Sequence, residues 1–237
     1  MSNGLMEATP RASAPAASGP AARTEQFAAF FSVASSLASE FITRESRWRR
    51  ALAAQIAPRA SDVILEIGCG AVALSVELAR LAPRARIIAV DWDEALLQRA
   101  RERAREAGVR IEFVTSFPRA AARAATHWAP NKIVANIAYR EMAPVDKRAL
   151  IQAAHDNLRA DGIFNLADAQ SLRTPFLPQQ HGAQIDAATA ARPVDEFVSA
   201  PRRLIAEMRA AGFVAVEETQ TFAAPAGAVS LYRARVS

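Results

Sequence analysis

The sequence contains few residues of several types, and each scarcity argues against a class of protein. Cys69 is the one cysteine among 237 residues, so the chain cannot form an internal disulfide bond, and we expect it in a reducing cytoplasm. One cysteine and three separated histidines offer no paired ligand spacing, so we expect no metal site. No run of about eighteen apolar residues occurs, and we therefore expect no membrane-spanning helix.

Lysine is nearly absent from a chain whose formal net charge is +5, since Lys132 and Lys147 are the only lysines. The positive charge is therefore carried by arginines, which are scattered along amphipathic segments. One local cluster occurs, and it consists of Arg44, Arg47, Arg49 and Arg50. A surface for single-stranded nucleic acid interleaves cations with several aromatic side chains, whereas this cluster has only Trp48. We interpret the cluster as a solvated helix face and do not expect a nucleic-acid partner.

The most informative stretch runs from Val63 to Asp93 and reads VILEIGCGAVALSVELARLAPRARIIAVDWD. Its pattern predicts a strand, a glycine turn, a helix and a second strand that ends in an acidic residue. Gly68 and Gly70 let the backbone turn sharply and approach a ligand, because neither carries a Cβ atom. Asp91 lies where a carboxylate can accept hydrogen bonds from two ribose hydroxyls. The stretch therefore predicts a site for an adenosine-containing molecule.

Two interpretations of the glycine turn compete. The run Gly68, Gly70, Ala73 fits the G-x-G-x-x-A fingerprint of a dinucleotide site, which would make the chain a nicotinamide-binding oxidoreductase. With Glu66 included, the run becomes E-x-G-x-G and resembles motif I of the class I S-adenosylmethionine-dependent methyltransferases. A carboxylate there attracts the cationic amino-acid end of S-adenosylmethionine and repels a pyrophosphate. Glu66 therefore favours the methyl donor as cofactor.

Strands and helices alternate along the chain, which predicts a Rossmann-like doubly wound α/β sheet with helices on both faces. We expect seven strands with the last antiparallel, and extra N-terminal helices. Trp48, Leu52 and Ile56 recur at helical spacing in the last part of this N-terminal segment. Strands are predicted at 63–67, 85–90, 111–115, 132–138, 163–167, 213–222 and 227–236. Later helices are predicted at 72–81, 93–107, 118–126, 144–158 and 201–211. Asp93 is the predicted N-cap of the second of these helices. The expected organisation is a disordered leader (1–23), a helical cover (24–57) and a methyltransferase domain (58–237) with a lid-like insertion (171–198).

Three further segments resemble one family of methyltransferases. RLIAEMRAAGFVAVEETQTF followed by GAVSLYRARV is similar to the ending of the ubiquinone/menaquinone-biosynthesis-type small-molecule methyltransferases. AYREMAPVDKRALIQAAHDNLRADG resembles their segment after strand four, and FFSVASSLASEF lies where they carry substrate-covering helices. The resemblance spans roughly residues 27–236. It implies methyl transfer from S-adenosylmethionine to oxygen or carbon of an apolar, ring-containing small molecule.

The chain departs from the pattern of that family at two places in the expected cofactor site. Val72 replaces a third glycine, and we expect its β-branched side chain to crowd a ligand at the start of the helix. Ser116 and Phe117 follow strand three, where the family places an acidic residue for the adenine amino group. Phe117 and Trp92 can instead stack on the adenine, although packing between helix and sheet is the alternative for both rings. Loss or reuse of the methyl-transfer chemistry in this fold is therefore a further hypothesis.

A second motif leaves another acceptor open. The run Asn136–Tyr139 in KIVANIAYRE is similar to the N-P-P-Y motif that holds a flipped base in enzymes that methylate adenine amino groups of RNA or DNA. Ala138 replaces the proline, and the C-terminal segments resemble the small-molecule group. An RNA adenine N-methyltransferase is therefore the alternative to a small-molecule enzyme.

The sequence thus predicts two sets of site residues. Cofactor binding is assigned to Glu66, Gly68, Cys69, Gly70, Asp91, Trp92, Ser116, Phe117 and Asn136. The acceptor pocket is assigned to Tyr139, Arg140 and Met142, together with the N-terminal helices and the insertion. Tyr139 and His181 are the candidate catalytic residues, because His181 can take a proton from a phenol or enol. An exposed loop histidine without a role is the alternative for His181.

Overall fold

The computed structural model describes residues 46–70, 72–116, 120–121, 127–135, 144–172, 201–224 and 227–237. The helices in this part of the chain are α1 (Ser46–Ile56), α2 (Ala73–Leu81), α3 (Glu94–Glu106), α4 (Pro144–Asn157) and α5 (Pro201–Ala210). The strands are β1 (Val63–Ile67), β2 (Arg86–Asp91), β3 (Glu112–Thr115), β4 (Lys132–Ala135), β5 (Ile163–Leu172), β6 (Val214–Ala224) and β7 (Gly227–Arg235).

One seven-stranded sheet contains all of these strands, in the order β3-β2-β1-β4-β5-β7-β6. The first five strands of that order are parallel, and β7 is antiparallel to both β5 and β6. The predicted Rossmann-like sheet with an antiparallel last strand is therefore confirmed. The chain winds from β1 toward β3 and then continues with β4 on the other side of β1. Open α/β sheets bind ligands at the carboxyl edge beside such a reversal.

Helices cover both faces of the sheet, as predicted. Leu65 and Ile67 of β1 pack in a core with residues of α4 and α5, whereas Ile64 packs on the opposite face with residues of α1 and α2. Because successive strand residues point to opposite faces, Glu66 lies on the same face as Ile64. The buried positions of β1, β2 and β4 are nearly all apolar, as expected for parallel strands that are covered on both sides.

Helix α1 is the described part of the predicted N-terminal cover. Trp48, Leu52 and Ile56 are buried against the sheet, as their helical spacing predicted. Gln55 Nε2 donates to Asn165 Oδ1 and to the Tyr232 carbonyl, both at 3.0 Å, so the helix is attached to β5 and β7. The rest of the cover and the leader, most of the helix predicted at 118–126 and nearly all of the insertion predicted at 171–198 lie outside the described residues.

Strand β5 is longer than predicted. The sequence indicated an end at residue 167, but pairing continues to Leu172, opposite Gly227 of β7. The predicted end was wrong because it left out the pairing with β7. An antiparallel neighbour supplies hydrogen bonds beyond the point where the parallel neighbour β4 ends at Ala135, so the strand continues.

A buried ion pair fixes the amino edge of the sheet. Lys132 Nζ lies 2.6 Å from Asp62 Oδ2 and also donates to the Ala57 carbonyl at 2.8 Å. Asn131 Nδ2 donates to the other Asp62 oxygen at 2.7 Å. Burial by itself raises the pKa of Asp62, but hydrogen bonds from Lys132, Asn131 and the Arg59 amide outweigh it, so the pKa is lowered. The pair thus joins the end of α1 to the start of β4.

We expect Lys132→Met to lower the free energy of unfolding by about 3 to 5 kcal/mol, because it leaves the buried Asp62 carboxylate without its cation. Arg86→Met is the matched control: its pair with Glu112 is about half exposed, and we expect a loss within about 1 kcal/mol. Urea unfolding measures both. Since the pKa of Asp62 is lowered on folding, its contribution is present above the unfolded pKa of about 3.9 and is lost as the pH falls through the folded value. Equal losses for the two variants would contradict this account.

Candidate active site

The turn between β1 and α2 is folded back onto the end of β2. The amides of Gly68 and Cys69 donate to the Val90 carbonyl at 2.8 and 3.1 Å. Gly68 and Gly70 have φ angles of 77° and 49°, in the left-handed region that favours glycine. A Cβ atom added at Gly70 would meet nothing within 4 Å. Backbone conformation therefore requires glycine at this position, and the space beside it is open.

Asp91 connects this turn to the loop after β2. Its Oδ2 accepts a hydrogen bond from the Gly70 amide at 2.8 Å, and its Oδ1 accepts one from the Asp93 amide at 3.1 Å. Burial raises the pKa of the Asp91 carboxyl, and the hydrogen bonds from these two amides partly oppose that change. The Trp92 amide contributes a third, weaker hydrogen bond, so backbone amides take most of the about four acceptor positions of this carboxylate. A donating hydroxyl of a ligand would use the remaining capacity.

Asp93 has a different role from Asp91, as the sequence indicated. Its Oδ1 accepts hydrogen bonds from the amides of Ala95 at 2.9 Å and Leu96 at 3.1 Å, and it is the N-cap residue of α3. The predicted helix cap is therefore confirmed.

Glu66 is fully buried at the carboxyl half of β1. Ser75 Oγ, in the first turn of α2, donates to Glu66 Oε2. Because α2 begins directly after the glycine turn, this hydrogen bond fixes the carboxylate beneath the turn. Glu66 is therefore placed close to the turn, as motif I requires, and its negative charge fits an ammonium group better than a pyrophosphate.

Trp92 and Ser116 lie beside Asp91. Trp92 follows Asp91 directly and is partly buried, and the Ser116 amide donates to the Asp91 carbonyl at 2.9 Å. The structure thus brings together the ends of β1, β2 and β3. Phe117, Asn136, Tyr139, Arg140, Met142 and His181 lie outside the described residues, and their roles stay predictions.

Cys69 packs in the protein interior. It is buried with Val72, Ala89, Leu97 and Ala100. Burial, with the nearby negative charges of Glu66 and Asp91, raises the pKa of the Cys69 thiol well above its usual range. The side chain therefore stays a neutral thiol at physiological pH, and we assign any contact with a cofactor to its backbone.

Val72 does not crowd the site in the way that the sequence suggested. Its side chain is fully buried in the same cluster as Cys69 and Leu97 and does not project from the edge. The unfavourable feature of Val72 is its backbone conformation. Val72 precedes α2 with φ 61° and ψ 14°, a conformation that β-branched residues rarely adopt. The missing third glycine is thus compensated by packing.

Sequence reasoning missed a polar cluster at the other side of this edge. Asp168 of β5 is buried and lies opposite Ser230 of β7 in the strand register. Ser230 Oγ donates to Glu218 Oε1 at 2.6 Å, and Thr221 Oγ1 donates to the same oxygen at 2.9 Å. The sequence analysis did not place Asp168 in a strand, because β5 was predicted to end at residue 167.

Sequence reasoning also missed a basic groove, because its arginines come from separate segments. An open groove of about 800 Å³ lies near the amino ends of β2 and β3, away from the glycine turn. Arg86 is paired with Glu112 and Arg101 with Glu94. The arginines that line the groove are Arg84, Arg86, Arg101, Arg105 and Arg110. Positive charge is therefore concentrated at this groove as well as in the N-terminal arginine cluster.

Two negative findings apply to the residues that the structure describes. None of their helices is long and apolar enough to cross a membrane. In the same ranges, no three His, Cys, Asp or Glu side chains are grouped so that they could hold a metal ion.

Comparison with known proteins agrees with this geometry. Residues 64–162 match the model of the family Methyltransf_25, described as "Methyltransferase domain". A curated relative, the carboxy-S-adenosyl-L-methionine synthase of Nautilia profundicola, is 30% identical over 111 residues. That match spans 45% of this chain and 44% of the relative, so less than half of either protein is compared.

Solved structures share the fold over a longer range. The 1,6-didemethyltoxoflavin-N1-methyltransferase of Burkholderia thailandensis, solved with bound 1,6-didemethyltoxoflavin and S-adenosylhomocysteine, is 19% identical with a TM-score of 0.63. The alignment covers 95% of this chain and 93% of that one. The [4+2]-cyclase SpnF is 15% identical with a TM-score of 0.60, and its alignment covers 81% of this chain and 80% of that one.

The fold and the family match point to the same class of domain. Residues 64–162 match a methyltransferase domain, the sheet order is that of the Rossmann-like methyltransferase fold, and together they support an S-adenosylmethionine-dependent methyltransferase. The segment that carries the family match is 64–162, and it contains Glu66, the glycine turn and Asp91. Since a cyclase has a similar fold, the fold by itself does not fix the reaction.

We expect Asp91→Ala to weaken cofactor binding by about 1.5 to 3 kcal/mol, the range for hydrogen bonds to a charged group. It should also lower stability, because the amides of Gly70 and Asp93 lose their acceptor. Asp93→Ala removes a helix cap, which costs about 1 kcal/mol of stability and should leave affinity nearly unchanged. Calorimetric titration with S-adenosylhomocysteine and thermal unfolding separate the two. An exchange of these phenotypes would show that the roles are misassigned.

We expect Val72→Gly to leave cofactor affinity within a few-fold, because the side chain points into the core. Relief of the strained backbone, worth roughly 1 to 3 kcal/mol, opposes the loss of about 1.5 to 3 kcal/mol of apolar burial and about 1 kcal/mol of glycine entropy. The net change should be a destabilisation of about 1 to 2 kcal/mol in urea unfolding. Markedly tighter binding would instead support the crowding that the sequence suggested.

Proposed function

We propose that this chain is a methyltransferase that transfers the methyl group of S-adenosylmethionine to oxygen or carbon of an apolar, ring-containing small molecule. The observation that carries the proposal is the placement of two buried carboxylates, Glu66 and Asp91, on either side of the glycine turn. The resemblance to the ubiquinone/menaquinone-biosynthesis-type enzymes supports the small-molecule acceptor. The single cysteine supports a cytoplasmic location.

Each group in the site has a defined task under this proposal. Asp91 accepts hydrogen bonds from the ribose hydroxyls, and Glu66 attracts the ammonium group of the methionine end. The glycine turn lets the backbone approach the ligand, and Trp92 stacks on the adenine. S-adenosylmethionine, when bound, supplies an electrophilic methyl group on its sulfonium.

The protein's part in methyl transfer is mainly positioning. It must align the acceptor atom with the methyl group and exclude water, and alignment alone can contribute about 7 to 11 kcal/mol. We assign the acceptor pocket to Tyr139, Arg140 and Met142, together with residues 171–198. Tyr139 and His181 are the proposed groups for removing a proton from the acceptor.

A nicotinamide oxidoreductase is the less favoured alternative. Its dinucleotide would bring a pyrophosphate to the glycine turn, where the buried carboxylate of Glu66 lies on the adjoining strand. Two negative groups at such a buried position repel each other strongly. The electrostatics of the site therefore favour a cofactor whose reactive end is cationic.

A second candidate function comes from the curated relative. The synthase of Nautilia profundicola is named for a product in which S-adenosylmethionine carries a carboxyl group, and its matched segment is 30% identical. An enzyme with that function modifies S-adenosylmethionine and does not transfer its methyl group to another molecule. The two functions share the cofactor site and differ in their products.

We expect S-adenosylhomocysteine to raise the melting temperature, because a ligand that binds only the native state stabilises it. The gain is about 2.7 kcal/mol at a hundredfold excess over Kd. Differential scanning fluorimetry measures the shift, and the same concentration of NAD is the control. A shift with NAD and none with S-adenosylhomocysteine would reverse the cofactor assignment.

We expect methyl-labelled S-adenosylmethionine to place its label in a small organic molecule when the protein is given a metabolite extract, with S-adenosylhomocysteine as the second product. Chromatography with mass detection follows both. Purified RNA provides a parallel substrate. Label in RNA would favour the base-holding interpretation of Asn136–Tyr139. A carboxylated form of S-adenosylmethionine, without S-adenosylhomocysteine, would favour the synthase function.

A further inference from the structure

The basic groove at the amino edge of the sheet combines arginines with apolar side chains. It is formed by the loop between α2 and β2, the start of β2, the C-terminal half of α3 and the segment 109–113. Its volume of about 800 Å³ lies within the usual range of ligand pockets, roughly 300 to 1,000 Å³. Its apolar lining residues include Ala85, Ile87, Val109, Ile111 and Phe113. The groove therefore offers a ligand both positive charge and apolar surface.

The positive charge of the groove exceeds the negative charge that the described part of the chain supplies to it. Five arginines and one glutamate, Glu112, line the groove. Arg86 pairs with Glu112 at 2.8 Å, and Arg101 pairs with Glu94 at 2.6 Å. The lining arginines that are exposed and form no ion pair within the described residues are Arg84, Arg105 and Arg110. A concentration of one sign of charge in a cleft attracts an anionic ligand.

The lining of the groove favours an acidic peptide over a nucleic acid. Single strands bind through aromatic rings on which successive bases stack. Phe113 is the one aromatic residue among the described residues that line the groove, and the guanidinium carbon of Arg101 lies 5.8 Å from the centre of its ring. The carboxylate of Glu112 would repel a phosphate chain, which carries a charge at every nucleotide. A peptide can instead place acidic side chains at the arginines and apolar side chains between them.

We propose that this groove binds a segment of a partner protein in which acidic and apolar side chains alternate. Guanidinium groups bind carboxylates with strong, charge-assisted hydrogen bonds, and Arg86 already donates to Glu112 through two of its nitrogens. Arg84, Arg105 and Arg110 bind the acidic side chains of the segment, and the apolar lining residues contact its apolar side chains. The inference goes beyond the proposed function and does not depend on it, because the groove uses none of the residues assigned to the cofactor or the acceptor.

The test measures binding of labelled synthetic probes to the full chain by fluorescence anisotropy. The main probe is a ten-residue peptide in which aspartate alternates with leucine. Two comparison peptides alternate aspartate with glycine and lysine with leucine, and a ten-nucleotide oligouridylate represents single-stranded RNA. We expect the aspartate–leucine peptide to bind about tenfold or more tightly than each of the other three probes, because it alone can use both the arginines and the apolar surface. Its affinity should fall as salt is added.

Charge reversal locates the binding site on the chain. We expect Arg105→Glu, on α3, to weaken binding of the aspartate–leucine peptide by about 10- to 100-fold, the range for hydrogen bonds between charged groups. Arg110→Glu should have a similar effect. Arg99→Glu is the matched control, since Arg99 is exposed on the same helix but does not line the groove. It should change the affinity by less than about threefold, because solvent and salt screen the altered charge.

Several outcomes would overturn the inference. Equal weakening by Arg105→Glu and Arg99→Glu would show attraction by net charge alone. Failure of the unmodified chain to bind the aspartate–leucine peptide, or equally tight binding of the oligouridylate or the aspartate–glycine peptide, would also contradict it. Circular dichroism and thermal unfolding show whether each variant is folded. If Arg105→Glu does not fold, Arg105→Gln and its control Arg99→Gln provide the same comparison. None of these results bears on S-adenosylmethionine binding, so the inference and the proposed function fail separately.

Discussion

The candidate site depends on one carboxylate, that of Asp91. By accepting hydrogen bonds from the Gly70 and Asp93 amides, it joins the glycine turn after β1 to the loop after β2. The same turn is held from below by the Val90 carbonyl. The sheet pairs Ile67 with Val90, and these contacts fix the glycine turn beside the loop after β2. Under the proposed function, Asp91 both organises the glycine turn and accepts hydrogen bonds from the ribose, so the shape of the site and ligand binding are coupled.

Charged groups inside the sheet are distributed between its two edges. The amino edge carries the compensated pair of Lys132 and Asp62, which closes the fold. The carboxyl edge carries Glu66 and Asp91, whose negative charges favour a ligand with a cationic end and ribose hydroxyls. The pair at the amino edge serves stability alone, so a substitution there should leave binding largely intact, whereas Asp91 at the carboxyl edge supports both the turn and the ligand site.

Local patterns made much of the fold and site predictable. The spacing of Trp48, Leu52 and Ile56, the glycines of the turn, and the cap at Asp93 each reflect interactions within a few residues. The length of β5 depended on pairing with a strand about sixty residues later, and the burial of Val72 depended on α3, so neither was readable locally. The basic groove was missed for the same reason, because its arginines come from different elements.

A crystal structure of the chain with S-adenosylhomocysteine tests the central claim most directly, because it locates every polar group of the ligand. The account requires both ribose hydroxyls within hydrogen-bond distance of Asp91 and the ammonium group beside Glu66. A ligand bound elsewhere, or bound at the glycine turn with its methionine end directed away from Glu66, would contradict it.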